Sequence, residues 1–170
     1  IIHNELVVRD RLSSMSMSGA SNLLTRVFNN SYLKNLGMEG NPSEFGIYLS
    51  LIKSNNLHIK KSDEFVISIE NTNNKSIKII YDEFLKLIKS SKEAVNVSDI
   101  YDHFIKQPYG IKIGLLPILI GIFFKATEAS CAFYNKDEQG RESLITEFDQ
   151  KIAERLYHMP ETLKIMFVKI

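Results

Sequence analysis

Five cations stand where they would be able to touch phosphate. Lys106, Lys112 and Lys125 mark the edges of the most apolar stretch of the chain, and Lys136 and Arg141 flank a charged turn around Gly140. At a helix end or a hairpin tip, such groups hold a nucleic-acid backbone without reading its sequence. The surrounding residues oppose this. From Ile111 to Phe124 only Lys112 carries a charge, so a helix there has almost no polar face to offer to base edges. Asp137, Glu138 and Glu142 sit in the same turn and repel phosphate. Packing against protein is therefore preferred over contact with double-stranded DNA. Lys112, Lys125, Lys136 and Arg141 are the residues by which DNA would be held.

The remaining reactive residue types form no constellation. His3, His58, His103 and His158 are scattered, there is no H-E-x-x-H and no cysteine pair, and no zinc site is expected. No G-x-x-x-x-G-K-[ST] cradles a phosphate, and no G-x-S-x-G presents a nucleophile. "GMEGNP" has two glycines but reads as a turn that needs positive φ. Cys131 lies between Ser130 and Ala132 in an apolar run, the setting of a buried structural thiol. Asp82 and Glu83 are adjacent on a helix surface and read as a solvated face. No catalytic residue, cofactor or metal is assigned, and the chain is not expected to be an enzyme by itself.

A chain of 170 residues makes one domain or two small ones. Hydrophobic residues at 44% and charged residues at 24% are ordinary for a globular protein. A net charge of +1, from 21 basic and 20 acidic residues, does not suggest a strongly basic nucleic-acid binder. The single cysteine excludes an internal disulfide and fits a reducing compartment, hence the cytoplasm. The chain opens "IIHNELVVRD", with no signal-peptide pattern and no initiator Met, as expected of a segment of a longer protein. The apolar run is shorter than the roughly 20 residues of a membrane span and is bounded by lysines, so a buried helix is expected there and no membrane contact.

Periodicity supplies the elements. Met17, Ala20, Leu23, Leu24, Val27 and Phe28 share a helical face over 14–29, with Ser13 or Ser14 as cap. After a turn at Gly37, Gly40 and Pro42, Ser43 is placed to cap a second helix. "LHIKKSDEFVISIE" reads as two strands around Lys61-Ser62-Asp63. Asn71 to Ser76 is polar, has no aliphatic residue and reads as a linker. Beyond it Ile77, Ile80, Phe84, Leu87 and Ile88 make an amphipathic helix, and Ser98 is placed to cap a shorter one. The apolar run follows as a third helix, with Pro117 in its first turn and regular structure from Leu115 or Leu116. A strand at "ASCAFYN", a turn, a return strand at "SLITEF", a helix stopped by Pro160 and a terminal strand complete the order.

The fold class expected is α+β and mostly helical. Residues 73–170 have the order of a winged helix, three helices and then a hairpin. Residues 1–72 repeat a weaker helix-and-hairpin version of it.

Two stretches resemble very large bacterial P-loop ATPases of anti-phage defence, the BREX-type ATPases and their relatives. "IIHNELVVRDRLSS" and then "LGMEGNPSEFGIYLSLIKSNNLH" are similar to their asparagine–glutamate–leucine start, Leu-Ser-Ser helix cap, glycine turn and Pro-x-Glu helix. "QPYGIKIGLLPILIGIFFKATEASCAFYN" resembles their later pattern, with Pro108, Tyr109, Gly110, Leu116, Pro117, Tyr134 and Asn135 at the matching places. The closing "ITEFDQKIAERLYHMPETLKI" is similar to the helix and strand that follow. One departure is "ATEASCAF", where such relatives often carry charges. The resemblance implies a non-catalytic module that contacts other domains or subunits of a larger assembly, with the ATP site elsewhere in the parent protein. A free-standing winged-helix DNA-binding regulator is the alternative.

Overall fold

The apolar run becomes the axis of the structure. A computed structural model of the chain describes residues 17–40 and 42–168. His3 and the expected caps Ser13 and Ser14 lie outside the described residues. The first helix, α1, is Met17–Asn29 and buries Leu23, Leu24 and Val27. The turn after it runs left-handed through Asn35, Leu36 and Gly37, at φ 53, 55 and 72. Glycine adopts that conformation freely, whereas an L-residue such as Leu36 is strained by about 1–2 kcal/mol. Leu36 is fully buried, and burial of a leucine side chain, worth about 1.5–3 kcal/mol, offsets the strain.

Helix α2, Phe45–Ile47, runs on into a π-helical turn, Tyr48–Lys53. Ser43 does not cap it. Glu44 occupies the N-cap, and the Ser43 hydroxyl turns to the Glu44 carboxylate instead. That carboxylate is buried and accepts from Arg26 Nε at 3.3 Å, which sets where the helix starts. Strands β1, His58–Lys61, and β2, Glu64–Ile67, pair antiparallel around the expected turn, with Lys61 opposite Glu64.

The polar stretch expected as a linker is a packed corner. Thr72 is fully buried, and the Asn74 side chain accepts from Ile77 N at 3.1 Å while donating to Asn55 Oδ1 at 3.2 Å. Its polar groups turn inward to cap α3, Lys75–Lys89. The boundary expected at 72/73 falls in this corner, and one apolar cluster continues from Leu23 and Leu24 to Leu163 and Ile165 across it. Beyond α3, the short strand β3, Val95–Asn96, leads into α4, Val97–Ile105. Asn96 caps that helix in place of Ser98. Its Oδ1 accepts from Ser98 N at 2.9 Å, and its Nδ2 donates to Glu161 O at 2.9 Å, so the sheet delivers the cap.

Helix α5, Leu116–Thr127, starts where expected, with Pro117 in its first turn. All residues from Leu116 to Phe124 are buried. On one side α1 approaches so closely that a Cβ on Gly121 would stand 2.3 Å from Leu24 Cδ2. On another, the Phe123 ring meets Phe84 at 5.4 Å and Tyr81 at 5.0 Å, and Phe124 meets Phe133 at 5.0 Å. None of the described helices is long and apolar enough to cross a membrane.

Strand β4, Cys131–Lys136, and β5, Glu142–Leu144, form the expected hairpin. The sheet they belong to is larger. Helix α6, Gln150–His158, capped by Asp149, packs on α1 and α5. The last strand, β6, Leu163–Phe167, lies between β3 and β4, giving the antiparallel order β3-β6-β4-β5. The hairpin's return strand is thus an edge, and the terminal strand takes the centre because Leu163 and Ile165 point into the core.

Truncating Phe123 to Ala is expected to cost about 3–5 kcal/mol. Ile79→Ala, at a half-exposed site on α3, is expected to change stability by no more than about 0.5 kcal/mol. Urea unfolding of both variants measures this, and equal small losses would mean that α5 is not the core.

Candidate interaction surface

The four cations assigned to phosphate are not one patch. Lys112 is exposed in the loop before α5, and Lys125 lies in the last turn of that helix. The helix between them, from Leu116 to Lys125, rises by about 1.5 Å per residue, roughly 13 Å in all. Lys125 is already engaged. Its Nζ donates to Phe28 O at 3.1 Å, pairs with Glu128 Oε1 at 2.7 Å and lies 5.9 Å from the centre of the Phe28 ring. Arg141 folds back on its own hairpin, where Nε donates to Asp137 Oδ2 at 3.2 Å. Lys136 is exposed at the end of β4, on the same hairpin. The structure brings Lys136 and Arg141 together and leaves Lys112 and Lys125 apart from each other. Between those two, α5 has no exposed face.

What the fold does assemble is a cleft of about 240 Å³ beside the C-terminal end of α5. Phe28 and Asn29 supply its α1 wall, Phe133 its sheet wall, and the loop 145–149 its lip. That loop is pinned at both ends of its turn. Ile145 N donates to Phe133 O at 2.7 Å, and Asn29 Nδ2 donates to Phe148 O at 2.9 Å. The Phe148 ring stacks on Phe28, with centroids 3.5 Å apart and planes 4° from parallel. Asp149 then caps α6 by accepting from Ile152 N at 3.0 Å, so the lip continues into a rigid helix. Glu128 and Glu147 line the cleft, and no lysine, arginine or histidine does. Of these lining residues the sequence singled out only Phe28, as part of the apolar face of α1 and not as a site. They come from four separate segments, and no local pattern links them.

Two polar pairs were also hidden in the sequence. Asp82 is exposed as expected, but Glu83 is not simply solvated. It pairs with His103 Nε2 at 2.6 Å, and after burial its charge is what pushes the Tyr109 phenol up. The pair joins α3 to α4. His58 is buried between two partners: its Nε2 lies 2.7 Å from Ser31 O, and its Nδ1 lies 2.7 Å from Tyr48 Oη. A carbonyl oxygen only accepts, so Nε2 carries the proton and Nδ1 accepts from the Tyr48 hydroxyl. Burial pushes the Tyr48 phenol up to about 12 and holds the imidazole below its usual range, with Lys53 adding to the latter and Ser31 opposing it. The Cys131 thiol is half-buried, and burial pushes it up, so the thiolate needed of a nucleophile is disfavoured. Among the described residues no three histidines, cysteines or carboxylates converge as metal ligands.

Compared with protein-family models, with curated proteins and with solved structures, the chain matches none.

The direction of the His58 shift sets a pH dependence. Because its imidazole is harder to protonate in the folded chain, the unfolded chain binds more protons just below about 6.5, the ordinary histidine value. Stability is full above that pH and falls as acid drives the group toward its folded-state protonation. Urea unfolding at pH 7.5 and 5.5 is expected to show a larger loss for the native chain than for His58→Gln. Equal losses would remove His58 as the cause.

Proposed function

We propose that this chain is a non-catalytic interaction module, docking protein within a larger bacterial assembly. The observation that carries the reading is the burial of α5. In a winged helix the third helix lies in the major groove. Here that position is filled by Leu116 to Phe124, enclosed by α1, α6, α3 and the sheet. Exposing it to DNA would mean opening the core. The hairpin supports the same view, since Arg141 is held by Asp137, and Glu138 remains beside it. The motif order described above makes a large defence ATPase our choice of parent protein, with the cytoplasm as its compartment.

A second reading has one observation in its favour. The order α3, α4, α5, β4, β5 is the order of a winged helix, and Lys112 and Lys136 make no ion pair among the described residues. A DNA-binding domain would use them, with Lys125 and Arg141, as phosphate contacts.

Two tests separate these readings. A fluorescence anisotropy titration with labelled duplex DNA at about 50 mM salt is expected to stay flat. Submicromolar affinity that collapses with salt, and is lost on converting Lys112 and Lys136 to Glu, would overturn the interaction reading. Sequencing the gene on both sides is expected to extend the reading frame into a nucleotide-binding loop upstream. A start codon and a stop codon at the two ends of this sequence would rule out the ATPase parent.

A further inference from the structure

We propose that the cleft between α1, β4 and the loop 145–149 receives an arginine side chain from the protein partner. The inference rests on the interaction-module reading and gives that module a partner chemistry. Its size sets the scale. At about 240 Å³ it is below the range of drug-sized ligand pockets, enough for one long side chain and too small for a helix.

Its walls set the chemistry. Phe28, Phe133 and Phe148 bring aromatic rings to the cleft, and Glu128 and Glu147 bring carboxylates, with no cation lining it. Glu147 is exposed and makes no ion pair among the described residues. Glu128 uses Oε1 on Lys125. The Lys125–Glu128 pair cancels, and Glu147 leaves the cleft with an uncompensated negative charge. An anionic partner is repelled, and a purely apolar one would cover that carboxylate without pairing it. A guanidinium answers both surfaces, because its plane stacks on an aromatic ring while its edge donates to a carboxylate.

The molecule already uses this chemistry once, a few ångströms away. The Lys125 ammonium is held by a carboxylate, a carbonyl and an aromatic ring, from Glu128 and Phe28. Phe28 takes Lys125 as one neighbour and stacks Phe148 as another. Glu147, next to Phe148 in the lip, is in position to do for an incoming cation what Glu128 does for Lys125.

Two blocked pentapeptides test this, one with a central arginine between leucines and one with citrulline in its place. Citrulline keeps the shape and loses the charge. Each is titrated into the whole isotope-labelled chain and followed by amide chemical shifts. The arginine peptide is expected to shift the amides of Asn29, Thr146, Glu147 and Phe148 saturably. The citrulline peptide, and the arginine peptide on Glu147→Gln, are expected to bind about tenfold more weakly, the scale of one charge-assisted contact. Glu147 is exposed, so an unchanged spectrum elsewhere verifies that the variant is folded. Equal binding of both peptides, full affinity for Glu147→Gln, or unmoved cleft amides at about 10 mM arginine peptide would each overturn the inference. If the DNA titration is flat while the peptide is silent, only this inference falls. If DNA binds tightly while the peptide is silent, the interaction reading falls with it.

Discussion

A helix that is apolar on every side needs a partner on every side. That constraint organises this molecule around α5. Each of Leu116, Ile118, Leu119, Ile120, Ile122, Phe123 and Phe124 gains about 1.5–3 kcal/mol on burial. Their sum is comparable to the whole net stability of an ordinary domain, about 5–15 kcal/mol. No single layer of structure can cover such a helix. α1 and α6 close one side, and α3 and the sheet close the other. Gly121 shows what this costs locally. A glycine inside a helix is less favourable than alanine by roughly 1 kcal/mol, yet only its missing Cβ leaves room for Leu24.

The same constraint explains which features were legible in the sequence. Local periodicity was enough for α3, for the start of α5 at Leu116 behind Pro117, and for the β1–β2 hairpin. These depend on spacing and on backbone chemistry within a few residues. Caps were misplaced by one or two positions, at Glu44 in place of Ser43 and at Asn96 in place of Ser98. In each case a distant partner decided, Arg26 for Glu44 and the Glu161 carbonyl for Asn96. The central place of β6 was not readable either. Strand order is a nonlocal choice, and β6 wins the centre through Leu163 and Ile165, which face a core assembled from the whole chain. The positive φ expected of the glycine turn is found at Gly37 and Gly40, but its extension through Leu36 had no signal, because leucine has no preference for that backbone and is held there by burial.

Three buried polar side chains of the first half each have a partner that fixes where a segment goes, whereas Ser50 Oγ and Tyr157 Oη are buried without one. His58 ties β1 to Tyr48 of the π-helical turn and to Ser31 beyond α1. Asn74 ties the corner before α3 to Asn55. The buried Glu44 carboxylate accepts from Arg26, which ties α2 back to α1. An unpartnered polar group in these positions would be penalised by about 1–3 kcal/mol, so the pairs favour one arrangement of the first half over its alternatives.

Function follows from what remains outside. Two of the four cations considered for phosphate are used in place, Lys125 bracing α5 against the end of α1 and Arg141 closing its own turn, while Lys112 and Lys136 make no ion pair among the described residues; Lys164 pairs with Glu142 across the sheet. Arg155 of α6 donates to Asn135 and to the Lys136 carbonyl, securing the base of the hairpin. Beside its most apolar helix the chain gathers aromatic rings with a carboxylate, Glu147, that makes no ion pair among the described residues, and the partner proposed above would bring the opposite charge. The fold brings Phe28, Phe133 and Phe148 to that place from three separate elements. The packing that buries α5 therefore also builds the cleft beside it: withdrawing the helix from any external groove is what brings α1 and the loop 145–149 together over its end.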